Sequence, residues 1–81
     1  MKLKTTTELW AEYSAAVLPA DVGDVQRTET CRAFYAGVYS TLCAFRDIGE
    51  GQVSEDAGAA HLVAMHRECI EFYELVKEGK A

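Results

Sequence analysis

Apolar residues in the second half of the chain recur at intervals of three, four, three and four residues. This spacing is typical of one face of an α-helix that packs lengthwise on another helix. A matching set lies upstream, and a short glycine-containing link at 49–52 separates the two. The downstream seam consists of Leu62, Met65, Cys69, Phe72 and Val76, and the upstream seam of Cys31, Tyr35, Val38, Leu42 and Phe45. The pattern predicts an antiparallel helical hairpin.

Capping signals predict where the helices begin and end. Thr5 and Glu8 are three residues apart, as in a capping box, and predict a short first helix over about 7–17 that ends before Pro19. Aspartates near the start of the upstream pattern are good N-caps and predict a second helix over about 24–47. Ser54 as N-cap and Gly79 after the last turn predict a third helix over about 55–78.

The second helix carries small residues on the face opposite its seam, where a solvated helix would normally carry Lys and Glu. Glycine inside a helix costs about 1 kcal/mol relative to alanine, which indicates that another helix approaches this face closely. The small-residue face consists of Ala33, Ala36, Gly37, Ser40 and Ala44. Either a second subunit or the first helix covers it, and we favour the subunit, in a dimer or higher oligomer. The predicted fold is all-α: one domain over residues 1–81, with a short N-terminal helix and a long antiparallel hairpin that complete a bundle by oligomerisation.

The chain has 81 residues, 13 acidic and 8 basic side chains, and a formal net charge of −5. Negative surfaces repel nucleic-acid backbones, so direct nucleic-acid binding is disfavoured. A core of this size supplies about 3–5 kcal/mol unaided, which again favours oligomerisation. The sequence shows no apolar leader, no stretch of membrane-spanning length and three cysteines within helical patterns. We therefore expect a cytoplasmic protein with reduced thiols and no membrane partner.

No pattern of catalytic or metal-ligating residues emerges. The cysteines and histidines lack C-x-x-C and H-x-x-x-H spacing, and His61 and His66 point in different directions on a helix. We expect no metal, no cofactor and no enzymatic activity.

Carboxylates concentrate on the outer face of the third helix and near the predicted turn. Such a surface favours basic partners and could occupy a groove meant for nucleic acid. The predicted partner-binding residues are Glu71, Glu74, Glu78, Asp47 and Glu50.

A slanted polar row lies on the second helix, because Gln26, Glu29 and Arg32 are three residues apart and lead to Tyr35. Glu29 and Arg32 could simply form an ion pair. Alternatively, Arg32 with Gln26 and a tyrosine could bind an anion or planar ligand at a subunit boundary.

One pattern resembles a known group of proteins. The pattern consists of Trp10-x-x-Tyr13, then 17–19 (Val-Leu-Pro), then Gln26-x-x-Glu29-x-x-Arg32 followed by 33–37 (Ala-Phe-Tyr-Ala-Gly). It is similar to the pattern of small helical accessory proteins of bacteriophages and prophages of the anti-defence type. The resemblance implies a phage context, and it carries over no catalytic residue set to this chain. It suggests a protein that inhibits a host defence complex by binding it, in the manner of anti-CRISPR proteins. The alternative is an oligomeric small-ligand binder that sequesters a signalling nucleotide.

Overall fold

The computed structural model describes residues 2–81, which form three α-helices and no strand. Helix α1 spans Thr6–Val17, α2 spans Asp24–Gly49 and α3 spans Glu55–Lys77. The all-α prediction is confirmed, and each helix end lies within two residues of its predicted position.

The chain divides into two compact units. The N-terminal unit ends at Phe45, and the C-terminal unit comprises Arg46–Ala81, so that the last turn of α2 belongs to the second unit. The lengthwise packing of the two seams, the single domain and the completion of a bundle by oligomerisation stay predictions.

Helix α1 begins with the predicted capping box. Thr5 adopts an extended conformation, its Oγ1 accepts a hydrogen bond from the Glu8 N–H at 3.1 Å, and Glu8 Oε1 accepts one from the Thr5 N–H at 3.1 Å. Lys2 Nζ lies 2.9 Å from Glu8 Oε2. The Lys2 contact, followed by the two Thr5 hydrogen bonds, lowers the pKa of Glu8 below its ordinary range.

Aromatic rings join α1 to α2 within the N-terminal unit. The Phe34 ring lies 5.5 Å from the Trp10 ring and 5.2 Å from the Tyr13 ring, centroid to centroid. The Tyr35 hydroxyl donates a hydrogen bond to Thr7 Oγ1 at 3.3 Å. These contacts place α1 on the face of α2 that carries Phe34 and the upstream seam, which we call the large-residue face. The alternative in which α1 covers the small-residue face is therefore wrong for this chain.

Helix α3 has the predicted boundaries at both ends. The Ser54 hydroxyl accepts a hydrogen bond from the Ala57 N–H at 3.1 Å. At the other end Gly79 has a φ of 76°, a left-handed conformation that glycine adopts without strain. The Gly79 N–H bonds the Val76 carbonyl and the Lys80 N–H bonds the Leu75 carbonyl, at 3.1 and 2.9 Å. This pair of bonds is a Schellman motif, which ends the helix.

The C-terminal unit is closed by one tight contact near its turn. Gly58, in the first turn of α3, is the one buried residue among residues 2–81. A Cβ atom at this position would lie 2.8 Å from Ile48 Cγ2. A larger residue at this position would therefore force Ile48 or the helix backbone to shift.

Apolar side chains stay largely uncovered in both units. No hydrophobic side chain among residues 2–81 is buried. The exposed fraction reaches 70% for Tyr39, 60% for Tyr73 and 59% for Phe72. Most of the helix periodicity therefore describes faces that neither unit buries by itself.

We predict that Phe34→Ala destabilises the N-terminal unit by about 2 kcal/mol, somewhat less than the about 3–5 kcal/mol typical of a fully buried phenylalanine. Trp10 is the only tryptophan, so its emission reports the ring contact directly. We expect a red shift of this emission and a lower melting temperature by circular dichroism. Tyr39→Ala, which removes an exposed ring on the same helix, is the control. An unchanged emission spectrum in Phe34→Ala would contradict the packing described above.

Candidate functional surfaces

All five carboxylates predicted to bind a partner are exposed. Two of the three on the outer face of α3 already have basic neighbours. Glu74 Oε1 lies 3.1 Å from Lys77 Nζ, and Glu78 Oε2 lies 3.4 Å from Lys80 Nζ. Glu71 is exposed and makes no salt bridge among the described residues.

One of the two carboxylates near the turn also has a basic neighbour. Asp47 Oδ1 lies 3.9 Å from the Nε of Arg46, and both side chains are largely exposed. Exposed ion pairs contribute only about 0–1 kcal/mol, so a basic partner could displace these intramolecular contacts readily.

Negative charge is unevenly distributed along the chain. Residues 46–81 carry eight of the thirteen carboxylates and four of the eight basic side chains. The C-terminal unit therefore holds most of the net negative charge, and a basic partner would be attracted first to this unit.

An apolar depression of about 550 Å³ lies in the N-terminal unit. Its lining is almost entirely apolar, with the Thr41 hydroxyl bonded to the Gly37 carbonyl at 2.9 Å. We call this depression the α1–α2 groove; it is lined by Tyr13, Ala33, Phe34, Gly37, Val38, Thr41 and Leu42. An open apolar groove of this kind fits an apolar helix face better than a charged ligand.

The groove includes part of the small-residue face. Ala33, Ala36, Gly37 and Ser40 are exposed, and a Cβ added to Gly37 would meet no atom within 4 Å. Within the N-terminal unit, nothing approaches Gly37 closely enough to require glycine there. Helix α1 therefore does not make the close approach that the sequence predicts at this face, and the covering by a second subunit stays a prediction.

The polar row of α2 is only partly brought together. Arg32 Nη1 lies 3.7 Å from Glu29 Oε1, and both border a shallow depression of about 300 Å³ with Asp24, Val25 and Thr28. Gln26 is exposed beside them. Tyr35 is directed instead to α1 through its bond to Thr7. The structure thus separates the tyrosine from the Glu29–Arg32 pair.

Other chemistry-bearing residues form no cluster. No three His, Cys, Asp or Glu side chains among residues 2–81 are grouped so that they could hold a metal ion. The three thiols are free; Cys31 and Cys43 are half-buried and Cys69 is exposed.

Sequence reasoning missed the contribution of Tyr13 and Thr41 to the α1–α2 groove. The aromatic spacing of Trp10 and Tyr13 indicated an apolar face on α1, but nothing in the periodicity indicated which face of α2 it would cover. The signal that could have been used is Phe34, a large ring between the upstream seam and the small-residue face.

Among residues 2–81, no helix combines the length and the apolar composition needed to cross a membrane. Comparison of the chain with protein-family models, with curated proteins and with solved structures finds no match. The phage-type resemblance therefore stays a prediction.

We predict that Gly37→Ala weakens self-association although it stabilises the isolated helix. Alanine at this position raises helix stability by about 1 kcal/mol, and the added methyl group meets no atom of the same chain. The added methyl group would push away a second helix that packs on the small-residue face. Light scattering against protein concentration measures the association, and circular dichroism measures the helix.

Gly49→Ala is the control, since a Cβ there also meets nothing within 4 Å but lies away from the small-residue face. If Gly37→Ala and Gly49→Ala raise stability alike and leave the mass unchanged, no helix packs closely on that face.

Proposed function

We propose that this chain is a non-enzymatic, phage-type interaction protein that inhibits a host defence complex by binding it. The observation that supports the proposal most is the amount of uncovered apolar helix surface, above all the α1–α2 groove. Exposed apolar patches on monomeric proteins, especially those rimmed by polar residues, commonly mark sites that bind a partner. The phage and anti-defence context comes from the sequence resemblance, and the expected place of action is the host cytoplasm.

The acidic surface supports a partner with a basic groove. The outer face of α3 presents Glu71, Glu74 and Glu78 in an exposed row. Complexes that handle nucleic acid carry basic surfaces, and an acidic row can compete for them. Electrostatic attraction would speed the encounter, while apolar surface would supply most of the affinity.

A second candidate function rests on Arg32. Its side chain is 75% exposed, and its ion-pair partner Glu29 lies at 3.7 Å, a distance beyond a good hydrogen bond. The adjacent depression of about 300 Å³ has the volume of a small ligand site. An exposed guanidinium with a nearby threonine hydroxyl can bind phosphate, so the chain could sequester a signalling nucleotide as an oligomer.

We predict that Glu71→Lys combined with Glu74→Lys weakens partner binding at least tenfold. The partner would be captured by the tagged full chain from a bacterial host that carries defence systems, and inhibition would be scored as restored plaque formation by a restricted phage. Binding by the wild type should fall as salt concentration rises, since the attraction is electrostatic.

The control pair is Glu12→Lys with Asp21→Lys, which changes the net charge equally but on the N-terminal unit. Equal loss in both pairs would show that only net charge matters. Full activity of the α3 pair would show that its acidic face is merely solvated.

For the nucleotide alternative, we predict that a signalling nucleotide raises the melting temperature of the wild type but not of Arg32→Ala. Glu29→Gln should strengthen the effect, because it removes the carboxylate that competes with phosphate for Arg32. Arg67→Ala, on α3, is the matched control. If a panel of cyclic and linear nucleotides leaves the wild-type melting temperature unchanged, the chain is not a nucleotide binder.

A further inference from the structure

Helix α3 has an apolar face that the rest of the C-terminal unit covers only near the N-terminal end of the helix. Gly58 lies against Ile48 and Met65 is half-buried, but every later residue of the helix is exposed. The exposed fraction is 59% for Phe72 and 46% for Val76. At 100° per residue the downstream seam, together with Tyr73 and His66, falls on one face along four turns of helix.

Cys69 lies midway along this face. Leu62 and Val76 lie seven residues before and after it, Met65 and Tyr73 lie four before and after it, and His66 and Phe72 lie three before and after it. Two antiparallel helices related by a two-fold axis at Cys69 would therefore place each of these residues opposite its symmetric counterpart. Such an isologous contact is the commonest form of subunit association.

The charges at the two ends of α3 fit the same arrangement. The first turn carries Glu55 and Asp56, and the last turn carries Lys77. An antiparallel pair places the acidic turn of one copy near the basic turn of the other, within about one Debye length of 10 Å. The helix dipoles also oppose each other. Glu71 lies on the opposite side of the helix from the seam, so it adds no close repulsion.

The apolar face of α3 is about 21 Å long from Leu62 to Val76, at 1.5 Å per residue. Along it the exposed fraction is 40% for Leu62, 49% for Ile70 and 60% for Tyr73. A second copy offers an apolar face of the same length and spacing.

We propose that α3 pairs antiparallel with α3 of a second copy about a two-fold axis at Cys69. This interface is separate from the small-residue face of α2 and goes beyond the proposed function, because it requires no host partner. The downstream seam then packs against its own counterpart rather than against the upstream seam.

Cross-linking at the axis tests the proposal. The full chain carrying Cys31→Ala and Cys43→Ala retains only Cys69. Facing Cα atoms of helices 8–10 Å apart lie about 3.5–5.5 Å from each other, which overlaps the distance that a disulfide spans. Diamide, which is reduced to the hydrazine as it takes two electrons from the two thiols, should convert most of the protein to a dimer that thiol reagents reverse. Absence of this dimer at concentrations where light scattering shows association would overturn the proposal.

Orientation is tested on a chain in which all three cysteines are replaced by alanine. One sample carries Leu62→Cys and another Val76→Cys. The antiparallel pairing predicts that the mixed samples form a cross-linked heterodimer and that neither forms a dimer alone, since equivalent positions would be about 20 Å apart. Dimers from each variant alone would show a parallel pair, and no cross-link in any sample would show that the seam packs within its own chain. Both results would overturn the proposal.

A non-covalent measurement completes the test. Phe72→Glu should shift the association midpoint to at least a hundredfold higher concentration, because it places a charge in the apolar face. Arg67→Glu, on the opposite face of the same helix, should leave it unchanged. Equal effects of the two variants, or a wild type that stays at 8.9 kDa at every concentration, would overturn the proposal.

Discussion

Phe34 lies between Trp10 and Tyr13, and these ring contacts hold α1 in place against α2. An isolated helix of 12 residues is marginal in water even with a capping box, because nucleation is costly and tertiary packing supplies most helix stability. The same contacts determine which face of α2 is covered. With α1 on the large-residue face, the small-residue face and the α1–α2 groove are left open. The surfaces available for binding thus follow from where one aromatic cluster lies.

Local signals predicted the helices well because their causes are local. A capping box, a serine N-cap and a glycine in a left-handed conformation each act within a few residues, and the structure has all three. The placement of α1 and the approach of Gly58 to Ile48 were not predicted. Periodicity indicates that a face is apolar, but it does not indicate which apolar face covers it. This chain has several apolar helix faces of similar length. Which of them pack together depends on their shapes and on how well side chains such as Phe34 are covered.

The candidate surfaces were predictable to a different degree. Charge on an exposed helix face follows directly from residue order, so the position of Glu71 and its neighbours could be read in advance. The contacts of the polar row of α2 could not be predicted in this way, because residues three apart lie on one face of a helix but can bond to different neighbours. Glu29 and Arg32 lie together, whereas Tyr35 bonds Thr7 on another helix. A ligand at Arg32 would therefore have to be recognised without the Tyr35 hydroxyl, unless that bond to Thr7 is given up.

The two faces of α3 suit different kinds of contact that can exist together. The apolar seam would bury its surface against a second copy, and such burial is strengthened rather than weakened by many salts. The row of Glu71, Glu74 and Glu78 lies on the other side, where attraction to a basic partner is screened as salt rises. A dimer formed through the seam would present two acidic rows facing outward, and two linked rows bind a repetitive or two-fold partner more tightly than one. Self-association on one face would therefore reinforce partner binding on the other.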